Sequence, residues 1–169
     1  MAKINPVKLK QDADAAEHSG RFDRAIDALR QLLQENPRDW VTVNRIGDLY
    51  ARLDKPKEAN ECYVRVTRYF AENGFFLKAI AVWKKVLRND PALLDGHLAL
   101  AELYQEQGLV AEARQTFSFV HDEYLKGSRL TEANEVLRRM AELRGTASEQ
   151  DNPEEYASPP VSRKKEGHP

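Results

Sequence analysis

Cysteine is almost absent. Cys62 is the single thiol in 169 residues, so no intramolecular disulfide can form and no zinc framework can be assembled, a usage that suits a reducing compartment. Glycine is sparse and dispersed. Of eight glycines, the nearest two are Gly96 and Gly108, so neither common glycine-rich phosphate loop can be written. His18, His97, His121 and His168 never fall at the i, i+3 or i+4 spacing that would put two imidazoles on one helix face. No Gly-x-Ser-x-Gly elbow occurs. No apolar run approaches the roughly 18 residues of a membrane span. The start, Met1-Ala2-Lys3-Ile4-Asn5-Pro6, has no apolar stretch behind Lys3, so a secretory signal is not expected. An excess of one charge is missing too. Twenty-six basic residues face 27 acidic ones, a formal net charge of -1, whereas a dedicated nucleic-acid binder carries a clear basic excess. These absences lead to an expectation of a non-catalytic cytoplasmic protein. It would use no cofactor or metal and have no small-molecule substrate and no membrane association; nucleic acid is a disfavoured partner.

What is present is helical and repetitive. Hydrophobic residues make up 41% and charged residues 31% of the chain, enough for one packed domain. Gly47-Asp48-Leu49-Tyr50 recurs in similar form as Ala101-Glu102-Leu103-Tyr104. At the same offset Ala59 matches Ala113, Tyr63 matches Phe117, Val66 matches Val120, Ala79 matches Ala133, Trp83 matches Leu137 and Val86 matches Met140. The segments 40–93 and 94–147 are therefore two copies of one unit, and each holds three amphipathic helical patterns. The spacing predicts eight helices, at about 6–18, 21–35, 39–53, 56–72, 75–89, 92–107, 110–126 and 129–144, and no strand. Gly20, Gly74, Gly108 and Gly127 are expected just past helix ends in the left-handed conformation. Pro37, Pro56 and Pro91 mark ends or first turns, and Asp39 and Asp54 read as N-caps. After Gly145 the composition turns to Glu, Ser, Pro and Lys, so 146–169 is expected to be a disordered tail. Its Arg163-Lys164-Lys165 beside Pro159-Pro160 is too short a basic run to predict nucleic-acid or membrane binding.

The helix pairs resemble tetratricopeptide repeats, a pattern of about 34 residues with a small-residue site and an aromatic on each helix. Residues 6–39 carry Ala13, Gly20, Phe22, Ala25, Leu29 and Pro37. Residues 40–71 carry Ile46-Gly47, Tyr50, Ala59 and Tyr63. Residues 60–93 carry Gly74, Ala79, Trp83 and Pro91, and 94–125 carry Leu100-Ala101, Tyr104, Gly108, Ala113 and Phe117. A fifth, 114–145, includes Ala133. The run Gly74-Phe75-Phe76-Leu77-Lys78-Ala79-Ile80 is similar to bacterial multi-repeat members of this family whose roles are mostly unassigned. The resemblance implies an all-α, right-handed solenoid of antiparallel helices over 6–145, after an N-terminal extension at 1–5. Gly47, Ala59, Ala79, Ala101, Ala113 and Ala133 would let helices approach, while Tyr50, Tyr63, Trp83, Tyr104 and Phe117 would fill the space between pairs. The repeats do not follow one another evenly: their registers begin at positions 6, 40, 60, 94 and 114, and neighbouring registers overlap. Helices 56–72 and 110–126 thus serve two repeats each, and the result is a 54-residue, three-helix rhythm. Helix 129–144, with one apolar stripe and a charged outer face, reads as a terminal cap.

The resemblance also implies a function: a protein-interaction module that binds a peptide or helix of a partner and scaffolds a complex. First helices of such repeats line a concave surface. There Asp14, Asp48, Glu102 and Asp122 occupy equivalent positions, an acidic ladder suited to a basic peptide segment; the competing reading is a solvated helix face. Trp40, Phe75, Phe76 and Phe119 are candidate aromatic anchors, or inter-repeat packing. Chaperone-binding members hold a C-terminal carboxylate with five basic and amide side chains. Lys10 and Arg65 match that set, but Asp14, Arg45 and Glu61 depart from it, and the two acids would repel a carboxylate. Two alternatives stay open, a helical-repeat binder of single-stranded RNA and homotypic assembly with repeat ends stacking on other copies.

Overall fold

The computed structural model describes residues 5–148, with side chains described through Leu143. Among these there is no strand. The eight helices are α1 (Pro6–His18), α2 (Phe22–Glu35), α3 (Trp40–Arg52), α4 (Pro56–Glu72), α5 (Phe76–Asn89), α6 (Leu94–Glu106), α7 (Val110–Lys126) and α8 (Leu130–Ser148). The helix α8 continues through Gly145 rather than ending there; an interior glycine costs a helix only about 1 kcal/mol. The expected tail beyond Ser148 lies outside the described residues.

Two kinds of connection set the architecture. Five turns pass through a single left-handed residue: Gly20, Asp54, Gly74, Gly108 and Ser128, with φ of 71°, 55°, 73°, 80° and 57°. Each is closed by the next residue donating its N–H to a carbonyl five positions back, as Phe75 does to Phe70 at 2.8 Å and Arg129 to Tyr124 at 2.8 Å. These turns join α1 to α2, α3 through α5, and α6 through α8. The other two connections, Asn36–Asp39 and Asp90–Leu93, leave the helix through an extended residue followed by proline. The chain is thus a helix pair followed by two three-helix units.

Two of the sequence expectations change. Asp54 caps no helix; it takes the left-handed position itself, and α4 begins at Pro56 with no side-chain cap. Gly127 has φ of -80°, and Ser128 holds the left-handed site instead. Asp39 does cap α3, accepting from the Thr42 N–H at 3.1 Å and the Thr42 hydroxyl at 2.7 Å. Asn5, not anticipated, caps α1 through Val7 and Lys8. A residue with a Cβ in the left-handed region carries roughly 1–2 kcal/mol of strain. Ser128→Gly is therefore expected to stabilise the protein by about 1 kcal/mol, read as a higher urea midpoint with an unchanged slope.

Within the three-helix units α4 and α7 are the central elements, each packed along both neighbours, while the α2–α3 and α5–α6 joins are looser. Ala59, Tyr63 and Val66 of α4 and Ala113, Phe117 and Val120 of α7 are all buried. Two apolar clusters result and meet at α5, which sends Val82 and Val86 into the first and Ala79, Ile80 and Leu87 into the second. Trp83 is half-buried and touches both clusters. Its indole N–H donates to the Gly96 carbonyl at 2.5 Å and pins α6 to α5.

A candidate docking groove between α4, α5 and α6

A small-residue site fixes the contact between α3 and α4. Tyr63 lies across Gly47: a Cβ there would stand 2.7 Å from the Tyr63 Cε1. Its hydroxyl donates to Asp48 Oδ1 at 2.8 Å. Lys85 of α5 donates to the same oxygen at 2.6 Å and to Asn44 Oδ1 at 3.2 Å, with its ammonium 5.1 Å from the Tyr63 ring centroid. Burial and the adjacent Asp48 carboxylate hold the Tyr63 phenol well above its ordinary pKa, so it stays protonated and keeps its proton to donate to Asp48.

The four expected acidic rungs do not share one surface. Asp14 of α1 bridges to Arg45 of α3 at 2.5 Å, and Asp48 of α3 bridges to Lys85 of α5. Glu102 of α6 bridges to Arg139 of α8. Asp122 meets its neighbour His121 at 3.0 Å and acts electrostatically on Lys126 one turn on. Odd-numbered helices thus pair with odd ones and even with even. Because a unit has three helices in an alternating antiparallel stack, the second unit begins in the opposite row. Asp48 and Glu102, equivalent under the internal repeat, therefore sit in different rows. Each is neutralised by a base, Lys85 and Arg139, and those two bases are equivalent under the same repeat. That matched offset is legible in the sequence. Glu17 holds both Arg45 and Arg52.

Between the even helices α4 and α6, with α5 as its floor, the surface opens into a groove of about 470 Å³. Val64, Thr67, Ala71, Phe76, Trp83, Ala99 and Leu103 form its apolar bed, Arg68 stands on the α4 lip, and Glu102 and Glu106 stand on the α6 lip. The Thr67 hydroxyl is buried beneath it without a hydrogen-bond partner, a cost of roughly 1–3 kcal/mol. The groove exists because Ala99 is small and because the α5–α6 join is looser than those within a unit.

Of the candidate anchors, Phe76 lines this groove. Trp40 stacks on Tyr69 at 4.9 Å between ring centroids, and Phe75 meets Phe70 edge-on at 6.3 Å with Lys78 over its ring. Phe119 lies against His97 at 4.6 Å. The structure does not gather the four into one cluster. Burial raises the Cys62 thiol above its ordinary pKa, the opposite of a reactive cysteine. No cluster of metal-ligating side chains occurs among the described residues. No helix among them is long and apolar enough to cross a membrane.

An all-helical stack with recurrent small-on-large packing and an open apolar groove between helices defines a helical-repeat binding protein, a class that presents extended surfaces to partners. The tetratricopeptide repeat family model matches residues 12–59 and 67–118, and the chain belongs to that family. It is 30% identical over 99 residues to the antiviral innate immune response effector IFIT1 of Macaca fascicularis; the match takes in 58% of this chain and 21% of that protein. Similar solved structures include MamA, at 16% identity and a TM-score of 0.37, covering 81% of this chain and 96% of the other. The translocator chaperone SycD of Yersinia enterocolitica matches at 13% identity and a TM-score of 0.39, covering 86% and 90%.

Proposed function

We propose that the protein is a non-catalytic interaction module that binds a peptide or helix of a partner protein in the groove between α4, α5 and α6, and so holds that partner in a complex. The observation that carries this reading is the groove itself, an open apolar bed with Arg68 on one side and Glu102 and Glu106 on the other. Its size admits two or three side chains, the scale of a linear-motif anchor. Glu102 is already paired with Arg139, which leaves Glu106 on the α6 lip as the acid that a basic residue beside the apolar anchor would meet, in keeping with a basic segment as ligand. The same mixture offers no cationic track for RNA. A cytoplasmic setting suits the lone thiol Cys62.

Photo-crosslinking tests this. A benzophenone amino acid at Ala99 is expected to capture a specific protein in cells, and the same probe at exposed Asp27 on α2 is expected not to. Arg68→Glu should then change the yield at Ala99 at least severalfold. Equal capture from both positions would end the groove reading.

A further inference from the structure

The internal repeat lets the structure act as its own template. In the first three-helix unit Ala71 of α4 and Phe76, Ile80, Trp83 and Leu87 of α5 form the face on which α6 is seated: Trp83 donates to Gly96, and a Cβ on Gly96 would touch Leu87 at 2.8 Å. The equivalent positions in the second unit are Leu125 of α7 and Leu130, Asn134, Leu137 and Ala141 of α8. Four of the five stay apolar, yet all five are exposed, with Leu125, Leu130 and Leu137 at 45%, 63% and 52%. This corrects the expectation that α8 simply caps the stack: its charged face is there, but the face that continues the solenoid is apolar. A helix end meant only for water replaces leucine there with charge.

Neither the chain's own continuation nor a head-to-tail copy fits this face. In register with α6 comes 148–160, which has Pro153 where α6 has Ala99 and none of the α6 leucines. The α1 helix, which would seat from a second copy, puts Lys10, Gln11 and Ala15 where α6 puts Leu98, Ala99 and Leu103. Charge defines the occupant further. Arg68, on the lip facing Glu102 and Glu106 of α6, is replaced in the second unit by Asp122, which is 61% exposed in its side chain. An incoming helix therefore meets an acid where α6 meets a base.

We propose that the outer face of α7 and α8 is a second docking site, separate from the groove, for an amphipathic helix of a partner protein. That helix carries leucine and alanine on its docking face and a basic residue opposite Asp122, and it seats as α6 seats on α5. This site extends the stack by one helix and needs no rearrangement of the protein.

The probe is a synthetic, fluorescein-labelled helix copying residues 90–108 with Glu102→Lys and Glu106→Lys, titrated against the full chain by anisotropy. Saturable binding is expected, weakened at least tenfold by Leu137→Asp and at least threefold by Asp122→Lys. The unmodified acidic copy should bind more weakly than the lysine version. Circular dichroism and the urea midpoint of both variants should match the parent, since both positions are exposed. No saturable binding, or binding indifferent to Leu137→Asp, would overturn the proposal. So would a concentration-dependent mass by light scattering that Leu137→Asp abolishes, because the occupant would then be a second copy. Failure of the crosslinking experiment at Ala99 leaves this result untouched, as the two sites share no residue.

Discussion

Phe117→Ala is expected to lower the free energy of unfolding by about 3–5 kcal/mol, the range for deleting a fully buried aromatic ring. Phe117 has no exposed surface and sits on α7, the central helix of its unit, in the second apolar cluster with Leu100, Val120 and Val136. Those neighbours are buried and held on packed helices, so little can move in to fill the space. The loss would consume a large share of the roughly 5–15 kcal/mol that holds a domain of this size folded. A urea titration reads it as a large fall in midpoint. Phe119→Ala is the control: two positions away, 42% exposed and with its ring against His97, it should cost at most about 1 kcal/mol. Equal losses at the two positions would mean that α7 is not the buried centre of its unit.

Gly47→Val is the second. The missing Cβ at Gly47 is what lets α3 and α4 close: an added one would lie 2.7 and 3.0 Å from the Tyr63 ring and 3.1 Å from Cys62 Cβ. The ring cannot swing aside, because it is buried and its hydroxyl is held by Asp48. A substitution out of glycine gains up to about 1 kcal/mol of helix propensity, less for a β-branched residue. Overpacking costs about 1–3 kcal/mol or more, and valine adds three carbons where even one does not fit. A net loss of about 3 kcal/mol is expected, together with weakening of the Asp48–Lys85 bridge that depends on the same ring position. The matching probe is thermal unfolding of Gly47→Val beside Gly47→Val/Tyr63→Leu. The smaller side chain at 63 should recover part of the loss, and a double variant no better than the single one would show that the ring is not the obstacle.

The registers at 40, 60, 94 and 114 mark the shared helices in the sequence itself, because a small residue and an aromatic at fixed spacing are a local record of which face each helix buries. The Asp54 and Gly127 readings failed for a local reason as well. The left-handed site goes to the residue just before the one that closes the turn on the carbonyl five positions back, and with Lys55 and Arg129 making that closure it falls on Asp54 and Ser128 whatever side chain is there. The acidic ladder failed for a global one. Equivalence along the chain does not mean a shared surface when an odd number of helices separates the copies. Thr67 and Arg68 carried no periodic signal that distinguishes a groove from a filled interface.

The helices, their order and the three-helix rhythm were legible in the chain, since each follows from apolar periodicity and turn chemistry within a few residues. Three outcomes emerged only once the helices were packed: which row each acid joins, where the stack stays open between α4 and α6, and which apolar residues of α8 remain uncovered. Those depend on how antiparallel helices alternate and how closely two units approach, quantities that no single segment encodes.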